Sequence, residues 1–365
     1  MKAAVMYEPK KDFVVEEIEI LPPKSKEVLI RMAASGVCRS DYARLMWERP
    51  SVLPIVLGHE GAGIVEKIGA GVTRVKPGDK VMLTWAAPCG VCHSCQTGKY
   101  NICAEAVRER TSCTMRDGTT RLRKGGREIH HFDALSTFAE YAVVNESACI
   151  ICPEGVPLTS AALIGCAVMT GIGAVWNTAR VNPGSTVAVT GAGGVGLNSI
   201  QAAACVSASQ VIVIDVDEQK LEFAKQFGAT TVINAKSENP VERVMELTNG
   251  SGVDFAFDCV GSPKTIGQLW DAVRPGGTVV VVGVAPVGEN ASIPGIQLAF
   301  SEKILRGSLY GETRPHVDFA RIVNLYQLKK IKLDELVTKT YKLEEINQAF
   351  ADLIAGKNVR GVIVY

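Results

Sequence analysis

Between residues 185 and 215 the chain reads STVAVT, GAGGVG, LNSIQAAAC and, a few residues on, QVIVID. A short apolar run, then Gly191, Gly193 and Gly196 in G-x-G-x-x-G spacing, then a helix-forming run, fits the strand, tight turn and helix that open a βαβ unit. Glycine lets such a turn tighten and lets backbone N–H groups, through Gly194 and Val195, approach a pyrophosphate at the positive end of the helix. QVIVID ends in Asp215, 19 residues beyond Gly196, where a carboxylate accepts hydrogen bonds from the adenosine ribose. That carboxylate repels the extra phosphate of NADP, and Val216 and Asp217 supply no arginine to attract it. The site is therefore expected to bind NAD.

The surrounding sequence supports a parallel sheet. From about residue 168 strand-like and helix-like runs alternate: QVIVID, DEQKLEFAKQFG, TVIN, PVERVMELTN, VDFAFDCV, SPKTIGQLWDAV and TVVVVGV. Such alternation means βαβ units. Residues 1 to about 150 differ, with short β-rich runs (EVLIRMAAS, GAGIVEKIGAGV, GDKVMLTW, AEYAVV) broken by Gly, Pro and Asp. After about 310 come two helical stretches, DFARIVNLYQLKK and EEINQAFADLIAG, and a last strand, VRGVIVY; no further βαβ unit is expected there. A chain of 365 residues exceeds what one core usually serves. The expected organisation is α/β, with one domain from residues 1–167 and 310–365 and a doubly wound parallel-sheet domain from 168–309.

A net charge of +1 with 21% charged residues offers no broad attraction for nucleic acid or an anionic membrane. No apolar run reaches the length of a membrane span, and MKAAVMYEPKKDF lacks the features of a signal peptide. Eleven cysteines, four of them between Cys89 and Cys103, favour metal over disulfides in a reducing compartment. The cytoplasm is the expected location.

PCGVCHSCQTGKYNIC sets Cys89, Cys92, Cys95 and Cys103 as C-x2-C-x2-C-x7-C. Four thiolates suit tetrahedral zinc and leave no open position, so this site is read as structural. Short C-x2-C-x2-C runs also hold iron–sulfur clusters, but nothing else in the chain suggests electron transfer. His93, inside the run, is read as an exposed loop residue. Three further segments stand apart: SGVCRSD with Cys38, GHEGAG with His59 and Glu60, and ALIGCAVMTG with Cys166.

Taken together, GHE, the four-cysteine loop, the glycine turn and the stretch DGTTRLRKGGREIHHF resemble the zinc-containing alcohol dehydrogenases of the medium-chain dehydrogenase/reductase superfamily, in their longer, class III-like branch. The resemblance runs from MKAAV to VRGVIVY. It implies a GroES-like β-rich catalytic domain from both chain ends and a central Rossmann domain, with the active site in the cleft between them. It also implies two zinc ions per chain: a catalytic one on Cys38, His59 and Cys166, with a fourth position for water or the substrate oxygen, and a structural one on the four-cysteine loop. Zinc would lower the pKa of the alcohol so that hydride passes to the nicotinamide. Ser40 would take the alcohol proton, Asp41 would orient His59, and Glu60 would approach the metal during ligand exchange. Arg39 and Arg360 would bind the pyrophosphate, Val195 would back the nicotinamide and Lys220 would lie near the adenosine ribose.

Relatives wall the substrate channel at positions matching Trp85 and Phe132, with Trp47, Arg49 and Arg108 toward its mouth, which points to a primary, aromatic or allylic alcohol or aldehyde. Where many relatives carry a histidine three residues after the serine, this chain has Ala43, so the proton relay must end in the ribose, another group or water. Class III members, which oxidise the glutathione adduct of formaldehyde, carry an arginine at the position of Val107 and an acidic residue at that of Arg49. Both departures weigh against an S-(hydroxymethyl)thiol substrate, although Arg108 and Arg110 stand close enough to bind some other acidic group. His130 and His131 are read as packing or surface residues. Zinc-free quinone reductases share the fold but lack the cysteine and histidine sets. A non-catalytic cofactor-binding protein would not need Cys38, Ser40, His59 and Cys166 together. The resemblance further implies a homo-oligomer, a dimer in preference to a tetramer, joined through edge strands near KILRGSLYG.

Overall fold

The computed structural model describes residues 1–46 and 52–365. The chain divides into two compact units, one of Met1–Cys166, Arg314–Lys329 and Leu333–Tyr365, the other of Ala167–Thr313 and Lys330–Lys332.

The first unit is built on two sheets. One has seven strands centred on the 11-residue strand Glu27–Val37, whose sequence EVLIRMAASGV is buried over most of its length. It pairs antiparallel with Glu60–Ile68, with Tyr141–Asn145 and with the C-terminal strand Arg360–Val364. The other has six strands and includes Lys2–Met6, Ile55–Val56 and Arg127–His131. Its core contains the rings of Phe13, Phe138 and Phe350, packed 5.2–6.3 Å apart, under the helix Ile346–Ile354. Two consequences for the site follow from this framework. Strand Glu27–Val37 delivers Cys38 at its end, and strand Glu60–Ile68 begins immediately after His59.

The second unit holds a six-stranded, all-parallel sheet in which the strands, in chain order, are Thr186–Thr190, Gln210–Asp215, Thr231–Asn234, Val253–Asp258, Val273–Val281 and Ile304–Gly307. Their spatial order is third, second, first, fourth, fifth, sixth, the doubly wound Rossmann arrangement. Sheets covered by helices on both faces call for strands that are apolar throughout, which is why QVIVID and TVVVV read as continuous runs rather than alternating ones. The unit runs on to Thr313 because the turn Tyr310–Glu312 packs against the helix Ala167–Gly173. A Cβ on Gly173 would stand 2.7 Å from the Cα of Gly311.

One expectation is corrected. The C-terminal tail does contain a βαβ unit: Val337–Tyr341 and Arg360–Val364 pair in parallel, with the helix Ile346–Ile354 between them. The first of these strands, VTKTY, is exposed over most of its length, so it lacks the apolar run by which a buried strand is recognised. Among the described residues no single helix is long and apolar enough to cross a membrane.

Candidate active site

Cys38, His59, Glu60 and Cys166 converge in the first unit, each offering one donor atom within 4.8 Å of the others, and all four are buried. The chain brings them together from three places: the end of the long central strand, the start of its antiparallel partner, and the end of a 3-10 turn, Leu163–Gly165. Asp41, fully buried on the helix Arg39–Met46, ties two of these places. Its Oδ2 accepts from the Cys38 amide at 3.2 Å, and its Oδ1 accepts from the Gly58 amide at 3.1 Å and lies 2.9 Å from Nδ1 of His59. With Nδ1 donating to Asp41, the neutral His59 ring would present its lone pair at Nε2. Nε2 is buried and has no hydrogen-bond partner among the described residues. An orphaned imidazole nitrogen beside two thiols is a donor set that zinc fits, two thiolates and one imidazole leaving a fourth position open. Glu60 is restrained: its Oε2 accepts from Nη2 of Arg360, which also donates to the Val37 carbonyl at 3.2 Å. Glu60, Cys38 and Cys166 hold the Arg360 guanidinium above its ordinary range against the opposing effect of burial. Arg360, which the resemblance sets at the cofactor pyrophosphate, is 4% exposed; its Nη2 donates to Glu60 and to the Val37 carbonyl, while its Nε has no hydrogen-bond partner among the described residues.

The four-cysteine loop folds around a short helix, His93–Gln96, and its thiols also lie within 4.8 Å of one another. The Sγ atoms of Cys89 and Cys95 are 4.0 Å apart and those of Cys92 and Cys103 3.9 Å apart. A tetrahedron of thiolates around zinc requires edges of about 3.8 Å. Backbone amides of Cys89 and Cys92 donate to the sulfurs of Cys103 and Cys89, each at 3.3 Å. Amide bonds of this kind from Cys95 and Ala104 draw the Cys92 thiol down to about 6, toward the thiolate. His93 is exposed and stands outside the set.

In the second unit the glycines divide their labour. Gly191 has φ +94°, and a Cβ on Gly196 would overlap the Gly191 carbonyl oxygen, so both are dictated by the turn itself. A Cβ on Gly193 would meet nothing within 4 Å. Gly193 caps the 12-residue helix Gly194–Cys205 without any side-chain capping bond, leaving its first amides available, the arrangement an anionic pyrophosphate fits. Gly194 and Val195 are half-buried at the same helix start. Asp215 does more than was expected of it: Oδ2 accepts from the Ala192 amide at 2.7 Å and Oδ1 from the amides of Val216 and Asp217 at 2.7 and 3.0 Å. The carboxylate thus locks the glycine turn to the end of the second strand. Lys220 lies 3.9 Å from Asp217 on the following helix.

Of the remaining predicted residues, Arg39 and Ser40 are exposed at the start of their helix, and Ser40 Oγ lies 3.7 Å from Cys38 Sγ. The Phe132 ring meets that of His59 edge-on at 5.6 Å, and Arg110 lies over the Trp85 ring at 5.4 Å. Trp47 and Arg49 fall outside the described residues. His131 is a buried packing residue: it accepts from the Arg121 amide at 2.9 Å, and burial, with Arg121 and His130 adding to it, pushes its pKa down to about 3. Sequence reasoning missed Asp133, next to Phe132, a buried carboxylate whose place beside the site no spacing rule announces.

Residues 24–154 match the alcohol dehydrogenase GroES-like domain and residues 194–327 the zinc-binding dehydrogenase domain. The chain is 40% identical to alcohol dehydrogenase class-3 of Dictyostelium discoideum, over 99% of this chain and 97% of that one. Among solved structures, it is similar to benzyl alcohol dehydrogenase of Acinetobacter calcoaceticus, with a TM-score of 0.94 and 37% identity over 100% of this chain and 98% of that one. It is also similar to an alcohol dehydrogenase zinc-binding domain protein of Burkholderia ambifaria, with a TM-score of 0.95 and 36% identity over the same shares. The chain belongs to the zinc-containing alcohol dehydrogenases of the medium-chain dehydrogenase/reductase superfamily. It is an oxidoreductase of that family, whose substrates are small alcohols and aldehydes.

Proposed function

We propose that this chain oxidises a primary alcohol of the benzyl or allylic kind, and reduces the matching aldehyde, with NAD as the hydride partner and two zinc ions per chain. The observation that carries the reading is the orphaned Nε2 of His59, buried beside Cys38 and Cys166. Zinc held there supplies the Lewis acidity that makes the alcohol proton labile near neutral pH, and NAD supplies the acceptor for the hydride. The protein's own residues do the rest. Asp41 keeps His59 in the tautomer that presents Nε2 and fixes the ring against Cys38. Ser40, exposed next to Cys38, takes the proton from the alcohol. Ala43 offers no group to receive it next, so the proton leaves through the ribose hydroxyls or water. Glu60, within 4.8 Å of the same donor set, would be able to approach a metal held there once released by Arg360.

The four-cysteine loop would hold the second zinc and so fix the segment that carries Trp85. The open space at Gly193 and the uncapped amides suit the pyrophosphate and the carboxylate of Asp215 favours NAD over NADP, with Val195 and Lys220 flanking the cofactor and Arg39 reaching its pyrophosphate. Trp85 and Phe132 favour a flat apolar substrate. Val107 weighs against a thiol adduct of formaldehyde, even though a class-3 enzyme is among the relatives. The protein works in the cytoplasm, where its eleven unbridged cysteines stay reduced. Two copies join through the edge strand Ile304–Gly307, near which Phe300, Ile304 and Leu305 are 86%, 51% and 41% exposed.

The test is NADH formation across ethanol, hexanol, benzyl, cinnamyl and secondary alcohols and hydroxymethyl-glutathione, with NAD and NADP compared and zinc counted on the same sample. Highest kcat/KM for benzyl or cinnamyl alcohol with NAD, at two zincs per chain, supports the reading. Highest kcat/KM for hydroxymethyl-glutathione overturns it.

A further inference from the structure

The loop that follows His131 is held in an uncommon conformation. Asp133, Ala134 and Ser136 have φ of +51°, +52° and +55°, the left-handed region that L side chains disfavour. Hydrogen bonds to the segment leading into His59 hold it there. The Ser136 hydroxyl donates to the Val56 carbonyl at 3.0 Å, the Phe138 amide to Leu57 at 3.1 Å and the Thr137 amide to Gly58 at 3.0 Å. Strain maintained by that many bonds belongs to segments whose side chains must be aimed.

What the loop aims, besides Phe132, is the carboxylate of Asp133. The residue is 8% exposed, and its Oδ1 is buried with no hydrogen-bond partner among the described residues. Asp133 is in no ion pair within 4.0 Å there either. Its electrostatic neighbours are His59, Arg110 and Arg44, which favour the charge, and Asp41, which opposes it; burial outweighs the favourable ones and raises the carboxyl to about 6. The flanking contacts place it: Phe132 packs on the His59 ring, and Arg110 covers the Trp85 ring. A buried acceptor without a partner among the described residues lowers stability, and its retention beside Phe132 and within the field of His59 points to a partner that arrives with the substrate. That partner is not a cation, because the charges of Arg44, Arg110 and His59 already act on the carboxylate. It is not an anion, which Asp133 would repel. A neutral hydroxyl donor fits.

We propose that Asp133 is a specificity-determining residue whose Oδ1 accepts a hydrogen bond from a second hydroxyl of the substrate, remote from the carbon that is oxidised. The inference rests on the reading of the chain as a primary-alcohol dehydrogenase walled by Trp85 and Phe132. The preferred substrate class is then a hydroxylated benzyl-type alcohol rather than a plain one.

The experiment compares kcat/KM for benzyl alcohol with that for its 2-, 3- and 4-hydroxy derivatives, in the wild-type holoenzyme and in Asp133→Asn and Asp133→Leu. The expected result is a preference of about tenfold or more for one hydroxy isomer in the wild type, falling close to one in Asp133→Leu. A wild-type ratio near one for all three isomers overturns the proposal without any variant, and so does a preference that survives in both variants. The same ratio is read for 1,6-hexanediol against 1-hexanol. If only the aliphatic pair turns over, the aromatic reading fails while Asp133 is still judged, by whether Asp133→Leu abolishes the diol preference.

Discussion

Gly36 lies directly beneath the carboxylate of Glu60: a Cβ at that position would overlap Glu60 Oε2 and come within 2.9 Å of Leu163 Cδ2. The two residues face each other across antiparallel strands, and the oxygen in question is the one that pairs with Arg360. Both charges are buried, so displacing one leaves the other uncompensated. Gly36→Ala is therefore expected to lower stability by about 2–4 kcal/mol, read from urea unfolding of the holoenzyme. A loss below about 0.5 kcal/mol, the scale of an ordinary surface substitution, would show that the pair tolerates displacement.

The glycine turn separates a folding role from a binding role. Gly196→Ala must push into the Gly191 carbonyl, whereas Gly193→Ala adds a methyl to open space. Gly196→Ala is expected to lower the melting temperature and NAD affinity together. Gly193→Ala should keep its melting temperature within about 2 °C and raise KM for NAD about tenfold or more, since the methyl occupies the approach of the pyrophosphate. Steady-state kinetics with calorimetry on both variants checks this, and an unchanged KM in Gly193→Ala would remove the pyrophosphate from that spot.

These contrasts bear on how much can be read from the sequence alone. The glycine turn and the four-cysteine loop are legible because their chemistry is set by spacings of two to seven residues, within which chain geometry leaves little choice. The strand and helix alternation of the parallel sheet is legible for a similar reason, each element being long and strongly patterned. Val337–Tyr341 is not, because an exposed short strand carries no hydrophobic signature. Nor is the Glu60–Arg360 pair, whose partners stand 300 positions apart and meet only after two strands have paired with Glu27–Val37. Asp133 is hidden for the opposite reason, since what sets it apart is a buried Oδ1 with no hydrogen-bond partner among the described residues.

Acid stability should carry the signature of His131. Its ordinary pKa of 6.5 is depressed to about 3 in the folded protein, chiefly by burial. The unfolded chain therefore takes up the proton first, and the contribution of the neutral side chain, complete above about pH 6.5, is lost as the pH falls toward 3. Replacing His131 by Asn should reduce the slope of stability against pH in that window by up to one proton, about 1.4 kcal/mol per pH unit. Urea midpoints from pH 7 to pH 4.5 on both proteins decide it; identical slopes would mean that His131 does not stay neutral.

The edge strand Ile304–Gly307 is the place where a second copy is expected. Leu305→Lys puts a charge on that edge without touching the zinc or nucleotide residues. Sedimentation equilibrium should give twice the 39.0 kDa chain mass for the wild type and the single-chain mass for the variant. A variant that stays dimeric would move the interface elsewhere.

The most direct test of the central claim is the initial rate of NADH formation from benzyl alcohol and NAD, followed as zinc is withdrawn by a chelator and then restored. With Cys38, His59 and Cys166 as the ligands, the rate should fall at least about a hundredfold in step with loss of one zinc per chain, and return when zinc is added back. A rate that persists at full strength after that zinc has gone would contradict the zinc-dependent mechanism.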